Sequence, residues 1–167
     1  RFQMRLDHPA AAGLRSGQWK YLRPGTWSGS TTLFDLAADP AEKQDLSRAR
    51  PDLVKQLEAR LEAAESALAR HLPDGSSFSR SEGGFLVWVT LPDAIDSSAL
   101  LDDAKRAGVV YAPGELFYPD GRRSSSLRLS VANTSVAEIE RGVAILGEVA
   151  RAALARGRRR AAEVVHV

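Results

Sequence analysis

The 167-residue chain contains no cysteine. That excludes a disulfide framework, thiolate zinc sites and a cysteine nucleophile within it. Aromatic residues make up only 7% and methionine occurs once, so any core is built from Leu, Val, Ile and Ala. Lysine is confined to Lys20, Lys43, Lys55 and Lys105; every other basic side chain is an arginine. The longest apolar run, 85–89, is far short of the roughly 18 residues of a membrane span. No signal-peptide pattern lies near Arg1, and the chain does not begin with Met, so its N-terminus leaves the compartment open. Histidines fall at His8, His71 and His166, with no ligand spacing between them.

What is present is enough for a folded domain with room for an appendage: 44% apolar and 26% charged residues. The net charge of +2 comes from Arg156, Arg158, Arg159 and Arg160; without them the balance is slightly acidic. These arginines read as a solvated basic end to the chain, with a tail at 157–167 that frays after Gly157. They lack the interleaved aromatics of a nucleic-acid surface.

Residues 1–15 show no clear period. Two short aromatic and β-branched runs, Gln18-Trp19-Lys20-Tyr21-Leu22 and Thr31-Thr32-Leu33-Phe34-Asp35-Leu36, flank a Pro/Gly/Ser linker and predict a β-hairpin. Pro51 and Asp52 suit the start of a helix. The stripe Leu53, Leu57, Leu61, Ala64, Leu68, Leu72 carries it over five turns, until Pro73-Asp74-Gly75. Strands are expected at 77–80, at 85–91 (apolar at nearly every position, as if covered on both faces), at 109–111 and at 127–131. A helix at 97–107 has Gly108 as its stop. A capping box of Ser135 and Glu138 opens a last helix, with Val136, Ile139, Val143, Leu146, Ala150 and Ala153 on one face. The pattern predicts an α/β (α+β) fold, a small sheet covered by amphipathic helices and preceded by a hairpin. The expected division is a hairpin segment 1–50, an α/β domain 51–156 and the tail.

Residues 66–154 resemble the small C-terminal domain of fold-type I, pyridoxal-phosphate-dependent aminotransferases, of the 2-aminoadipate and kynurenine aminotransferase type. The resemblance rests on Leu72-Pro73-Asp74-Gly75, Ser81-Glu82-Gly83-Gly84-Phe85-Leu86-Val87-Trp88-Val89, Leu91-Pro92, Ala107-Gly108-Val109, Pro113-Gly114 with Phe117, and Leu127-Arg128-Leu129-Ser130. It implies that Arg128 grips the α-carboxylate of an amino-acid or 2-oxo-acid substrate, a task suited to a guanidinium with two parallel donors. It also implies that Gly83, Gly84, Pro113 and Gly114 border the site. On the residues alone, Arg128 could equally pair a surface acid, Gly83-Gly84 could be a plain turn, and Gly114 could simply serve a loop needing φ > 0. The cofactor lysine, the pyridine-nitrogen carboxylate and the phosphate cup of such enzymes belong to their large domain. None of the four lysines stands in a serine-rich context like the cofactor-lysine motif, so pyridoxal phosphate is not expected to bind this chain alone.

Residues 15–62 resemble a different family, the C-terminal end of sulfatases of the alkaline-phosphatase superfamily. The carrying residues are Arg15-Ser16-Gly17-Gln18-Trp19-Lys20-Tyr21, Leu33-Phe34-Asp35-Leu36-Ala37-Ala38-Asp39-Pro40-Ala41-Glu42, Asp45-Leu46 and Pro51-Asp52-Leu53. The resemblance implies a structural hairpin and closing helix, without the sulfatase nucleophile or calcium carboxylates. Asp35, Asp39, Glu42 and Asp45 lack a calcium-loop pattern and are expected in turns and caps. The two resemblances meet at 57–68. Three readings follow: a partial aminotransferase inactive alone, a sulfatase C-terminal fragment, or a non-catalytic chimeric or decayed domain. The first implies cytoplasm, the second allows export; no metal, nucleic acid or membrane is expected as a partner.

Overall fold

A computed structural model describes residues 14–16, 18–22, 30–79, 86–131 and 134–164. The chain divides into two compact units: Arg1–Leu57 with Ser81–Phe85, and Glu58–Arg80 with Leu86–Val167.

The first unit holds an antiparallel three-stranded sheet, β1 (Leu14–Ser16), β2 (Trp19–Leu22) and β3 (Thr32–Asp35). β2 and β3 are the two arms of the expected hairpin, with Tyr21 opposite Leu33 and both fully buried. β1 comes from the stretch without a period: it is a short edge strand whose existence rests on pairing with β2. Of the four acids, Asp35, Asp39 and Asp45 accept backbone N–H groups in the turns at and after the end of β3, as expected, whereas Glu42 forms an ion pair. Asp35 Oδ1 accepts the Ala37 and Ala38 N–H groups, Asp39 Oδ2 accepts that of Gln44 at 2.7 Å, and Glu42 pairs with Lys20. Asp45 Oδ1 accepts from Leu33 at 3.0 Å and Ser47 at 2.9 Å, tying the loop back to β3.

Helix α1 (Pro51–His71) follows, with Leu57, Leu61, Ala64 and Leu68 of its stripe buried. The second unit adds β4 (Ser77–Phe78), β5 (Leu86–Thr90), α2 (Ser97–Arg106), β6 (Ala112–Pro113), a single 3₁₀ turn (Gly114–Phe117), β7 (Ser126–Ser130) and α3 (Val136–Val164). Its sheet has the order β4-β5-β7-β6 and is antiparallel throughout. Side chains alternate across it: Val87, Val89, Leu127 and Leu129 are buried with Leu100, Ala104, Ile139, Val143, Leu146 and Ala150 of α2 and α3. The mixed α/β class is therefore as the pattern predicts.

Three local expectations change. β5 is not covered on both faces, because Leu86 is exposed and Trp88 and Thr90 are half-buried on the side away from the core. Residues 109–111 form no strand. The Val109 N–H bonds to the Ala104 carbonyl and that of Gly108 (φ +95°) to Lys105, so the backbone closes α2 instead of joining a ladder. The buried Tyr111 hydroxyl donates to the Ser97 carbonyl at 2.7 Å, and pairing with β7 begins only at Ala112. Finally, α3 does not fray at Gly157 but runs to Val164. Helix-favouring Arg and Ala on both sides of Gly157 offset its cost of about 1 kcal/mol.

The end of α1 meets α3 at close range. Arg70 pairs with Glu140, and Arg151 Nη1 donates to the His71 carbonyl at 2.6 Å, satisfying an orphan acceptor of the last turn. A Cβ on Gly147 would overlap the same His71 carbonyl. Gly147→Ala is therefore expected to destabilise the fold by about 2 kcal/mol through overpacking, read as a lower urea midpoint. Gly142→Ala, where a Cβ meets nothing within 4 Å, is expected to be neutral or stabilising.

Candidate functional site

The β5–β7 register builds the candidate site. Leu127 and Leu129 point into the core, so Arg128 between them stands on the opposite face, directly across from Trp88 on one side and Ala112 on the other. The 3₁₀ turn brings Phe117 onto that face. Its ring lies edge-on to Trp88, centroids 5.4 Å apart at 75°, and the Arg128 guanidinium carbon sits 4.3 Å from its centre. Among the described residues, no carboxylate pairs with Arg128 and none engages its N–H groups. A half-buried, permanently charged guanidinium is costly without a partner. The cation–π contact with Phe117 offsets part of that cost and leaves the planar donor edge for an incoming acceptor. In chemical terms, the arrangement can bind and orient one carboxylate.

Pro113 and Gly114, expected at the border, lead directly into the turn that carries Phe117, and both are buried. Gly114 does not have a positive φ. It is required for close approach: a Cβ there would lie 2.6 Å from the Ser126 carbonyl and 2.7 Å from Ser124 Oγ. Gly83 and Gly84 lie outside the described residues. Trp88 and Phe117 are site residues that sequence reasoning quoted only as motif letters. The pairing of 86–90 with 126–130 sets Trp88 beside Arg128, and the 3₁₀ turn brings Phe117 there; neither is written in local sequence periodicity.

The lysines are elsewhere in the fold. Lys20 pairs with Glu42, Lys43 and Lys55 are exposed, and Lys105 is exposed in the last turn of α2, opposite the buried Leu100 and Ala104. Among the described residues, no group of three or more His, Asp or Glu side chains is arranged to hold a metal ion. No helix among them is long and apolar enough to cross a membrane.

The family model for aminotransferase class I and II matches residues 15–146. The chain belongs to this family. The match includes the stretch whose motifs resemble a sulfatase tail. Among curated relatives, the chain is 34% identical over 98 residues to aromatic-amino-acid aminotransferase 1 of Thermococcus litoralis, covering 59% of this chain and 24% of that protein. Among solved structures, the multiple substrate aminotransferase of Thermococcus profundus superimposes with a TM-score of 0.62 at 31% identity, over 66% of this chain and 28% of that one. The α-aminoadipate aminotransferase of Thermus thermophilus, solved with N-(5'-phosphopyridoxyl)-L-leucine, gives a TM-score of 0.59 at 30% identity, over 72% and 29%. This aminotransferase-family chain thus spans about a quarter of the length of these relatives.

The loop holding the 3₁₀ turn and β7 is anchored to α2 through Asp96. Its carboxylate caps α2 by accepting from Ser98 at 2.9 Å and Ala99 at 3.3 Å, and takes Arg123 Nε at 2.7 Å. Burial pushes its pKa up, but the two backbone N–H groups and Arg123 outweigh that and hold it below the usual carboxylate value. The anionic form is thus favoured by folding, and its contribution is lost as pH falls below about 4, through the folded-state pKa. Asp96→Asn keeps a capping oxygen. It is expected to flatten the acid limb of the stability profile, measured by urea titration between pH 2.5 and 6, with little change in shape above pH 6.

Proposed function

We propose that this chain is the small-domain portion of an amino-group-transfer enzyme, with Arg128 as the anchor for the α-carboxylate of an amino acid or 2-oxo acid. The observation that carries this reading is a half-buried arginine on the middle of the sheet, backed by Phe117 and without an acid among the described residues. Arg128 would fix the substrate by two parallel N–H donors, while Trp88 and Phe117 hold the guanidinium in place. The residues present do not fit pyridoxal phosphate, the cofactor of the resembled enzymes: the single lysine of the α/β unit is exposed on α2, and the other three lie in the first unit. The chain is therefore expected to be inactive alone and to need a lysine-bearing large domain. A cytoplasmic setting goes with this reading.

A second reading keeps the first unit as a sulfatase-type closing hairpin joined to this domain. It is favoured by the unit boundary at Leu57, within the helix where the two resemblances meet. Sequencing the coding region upstream of Arg1 separates them: a lysine-bearing aminotransferase domain supports the first, a Cys/Ser-x-Pro-x-Arg motif the second.

The direct test is a titration of the full chain with pyruvate, followed by NMR at the Arg128 Nε–H. A saturable shift is expected, and Arg128→Gln should weaken binding by about tenfold or more. Arg128→Lys keeps the charge without the fork and should rescue little. After pyridoxal phosphate and borohydride, no single stoichiometric lysine adduct is expected; one at Lys20 or Lys105 would overturn the half-site reading.

A further inference from the structure

The arginine-rich end of α3 is not used by the carboxylate site. Because α3 continues through Gly157, it carries Arg156 and Arg159 alongside α2, with Arg156 paired to Asp103. Between the two helices lies an open groove of about 610 Å³, within the range of organic-ligand sites. Leu100, Ala153 and Gly157 contribute to an apolar floor, and a Cβ at Gly157 would meet nothing within 4 Å, so the groove is open there.

The charged rim is arranged asymmetrically. Asp96 is consumed by the α2 cap and Arg123, and Asp103 by Arg106 and Arg156. Both carboxylates lining the groove are therefore saturated. Arg123 and Arg156 are each held to an acid through one nitrogen and keep their remaining N–H groups outward, on side chains 80% and 60% exposed. Arg159 has no partner among the described residues. Three guanidiniums against two engaged carboxylates leave the groove with one positive charge in excess and with donors, not acceptors, to offer.

The geometry points to a binding site in this groove for an organic anion with a short apolar body, its carboxylate or phosphate held by Arg123, Arg156 and Arg159 and its chain on the α2–α3 floor. A guanidinium fork serves either anionic group. The site shares no residue with the Arg128 cluster and does not rest on the aminotransferase reading.

The test is an amide-resolved NMR titration of the full chain with octanoate and octyl phosphate. Octanol supplies the body without the charge, and acetate the charge without the body. Saturable shifts within 94–103 and 153–159 are expected with one or both amphipathic anions, the stronger arm identifying the headgroup; any response around Arg128 reports the other site. Octanol and acetate at equal concentration should give none in these two segments. The double variant Arg123→Gln, Arg159→Gln should lower the affinity about tenfold or more. Both side chains are exposed and exposed ion pairs add little stability, so its melting temperature is expected to stay within a few degrees of the parent's. Arg128→Gln should leave octanoate binding unchanged. The proposal fails if neither anion gives a saturable shift, if octanol or acetate gives the same response, or if Arg128→Gln removes the binding.

Discussion

The antiparallel pairing of β5 with β7 decides both the core and the site. With Trp88 opposite Arg128 and Val87 opposite Leu129, alternation sends the aliphatic side chains to the helices and the cation to the other face. A one-residue slip would exchange the two sets, burying a guanidinium among leucines and exposing the core. Apolar burial on one face thus fixes the register, and the register in turn determines that Arg128 stands on the opposite face. Gly114 completes the arrangement by allowing the 3₁₀ turn against β7, which is how Phe117 reaches the arginine.

The parts legible in the sequence are those written in local periodicity. The leucine stripe of α1, the stop at Gly108 and the reciprocal bonds of Ser135 and Glu138 all form as the pattern predicts. Less legible are features that depend on distant partners. β1 exists because β2 offers it an edge. Residues 109–111 have strand-like side chains, yet their backbone follows the helix cap and Tyr111 turns inward. The continuation of α3 past Gly157 reflects flanking helix formers outweighing one glycine. At the site, Arg128 was named from a family motif, whereas its aromatic neighbours follow from strand register and a turn, which single-sequence reading does not supply.

Family membership and site geometry describe different scales. The family match covers most of this chain, but the chain covers about a quarter of its relatives. Within that quarter, the sheet face away from the helices carries Arg128 between Trp88 and Phe117. The two arginine clusters also differ in physical character. Arg128 lies against the Phe117 ring with no counter-charge among the described residues, while Arg123 and Arg156 of the α2–α3 groove are steadied by carboxylates that are already engaged.

Tyr111 gives the fold an internal optical gauge. Its buried hydroxyl, bonded to the Ser97 carbonyl, has its ionisation pushed well up by burial and by the nearby charges of Asp96 and Asp103. An unfolded tyrosine loses its proton near pH 10, so opening of the α2 region makes this phenol easier to ionise. In alkali, opening of the α2 region therefore advances the ionisation of Tyr111 toward that of a free phenol.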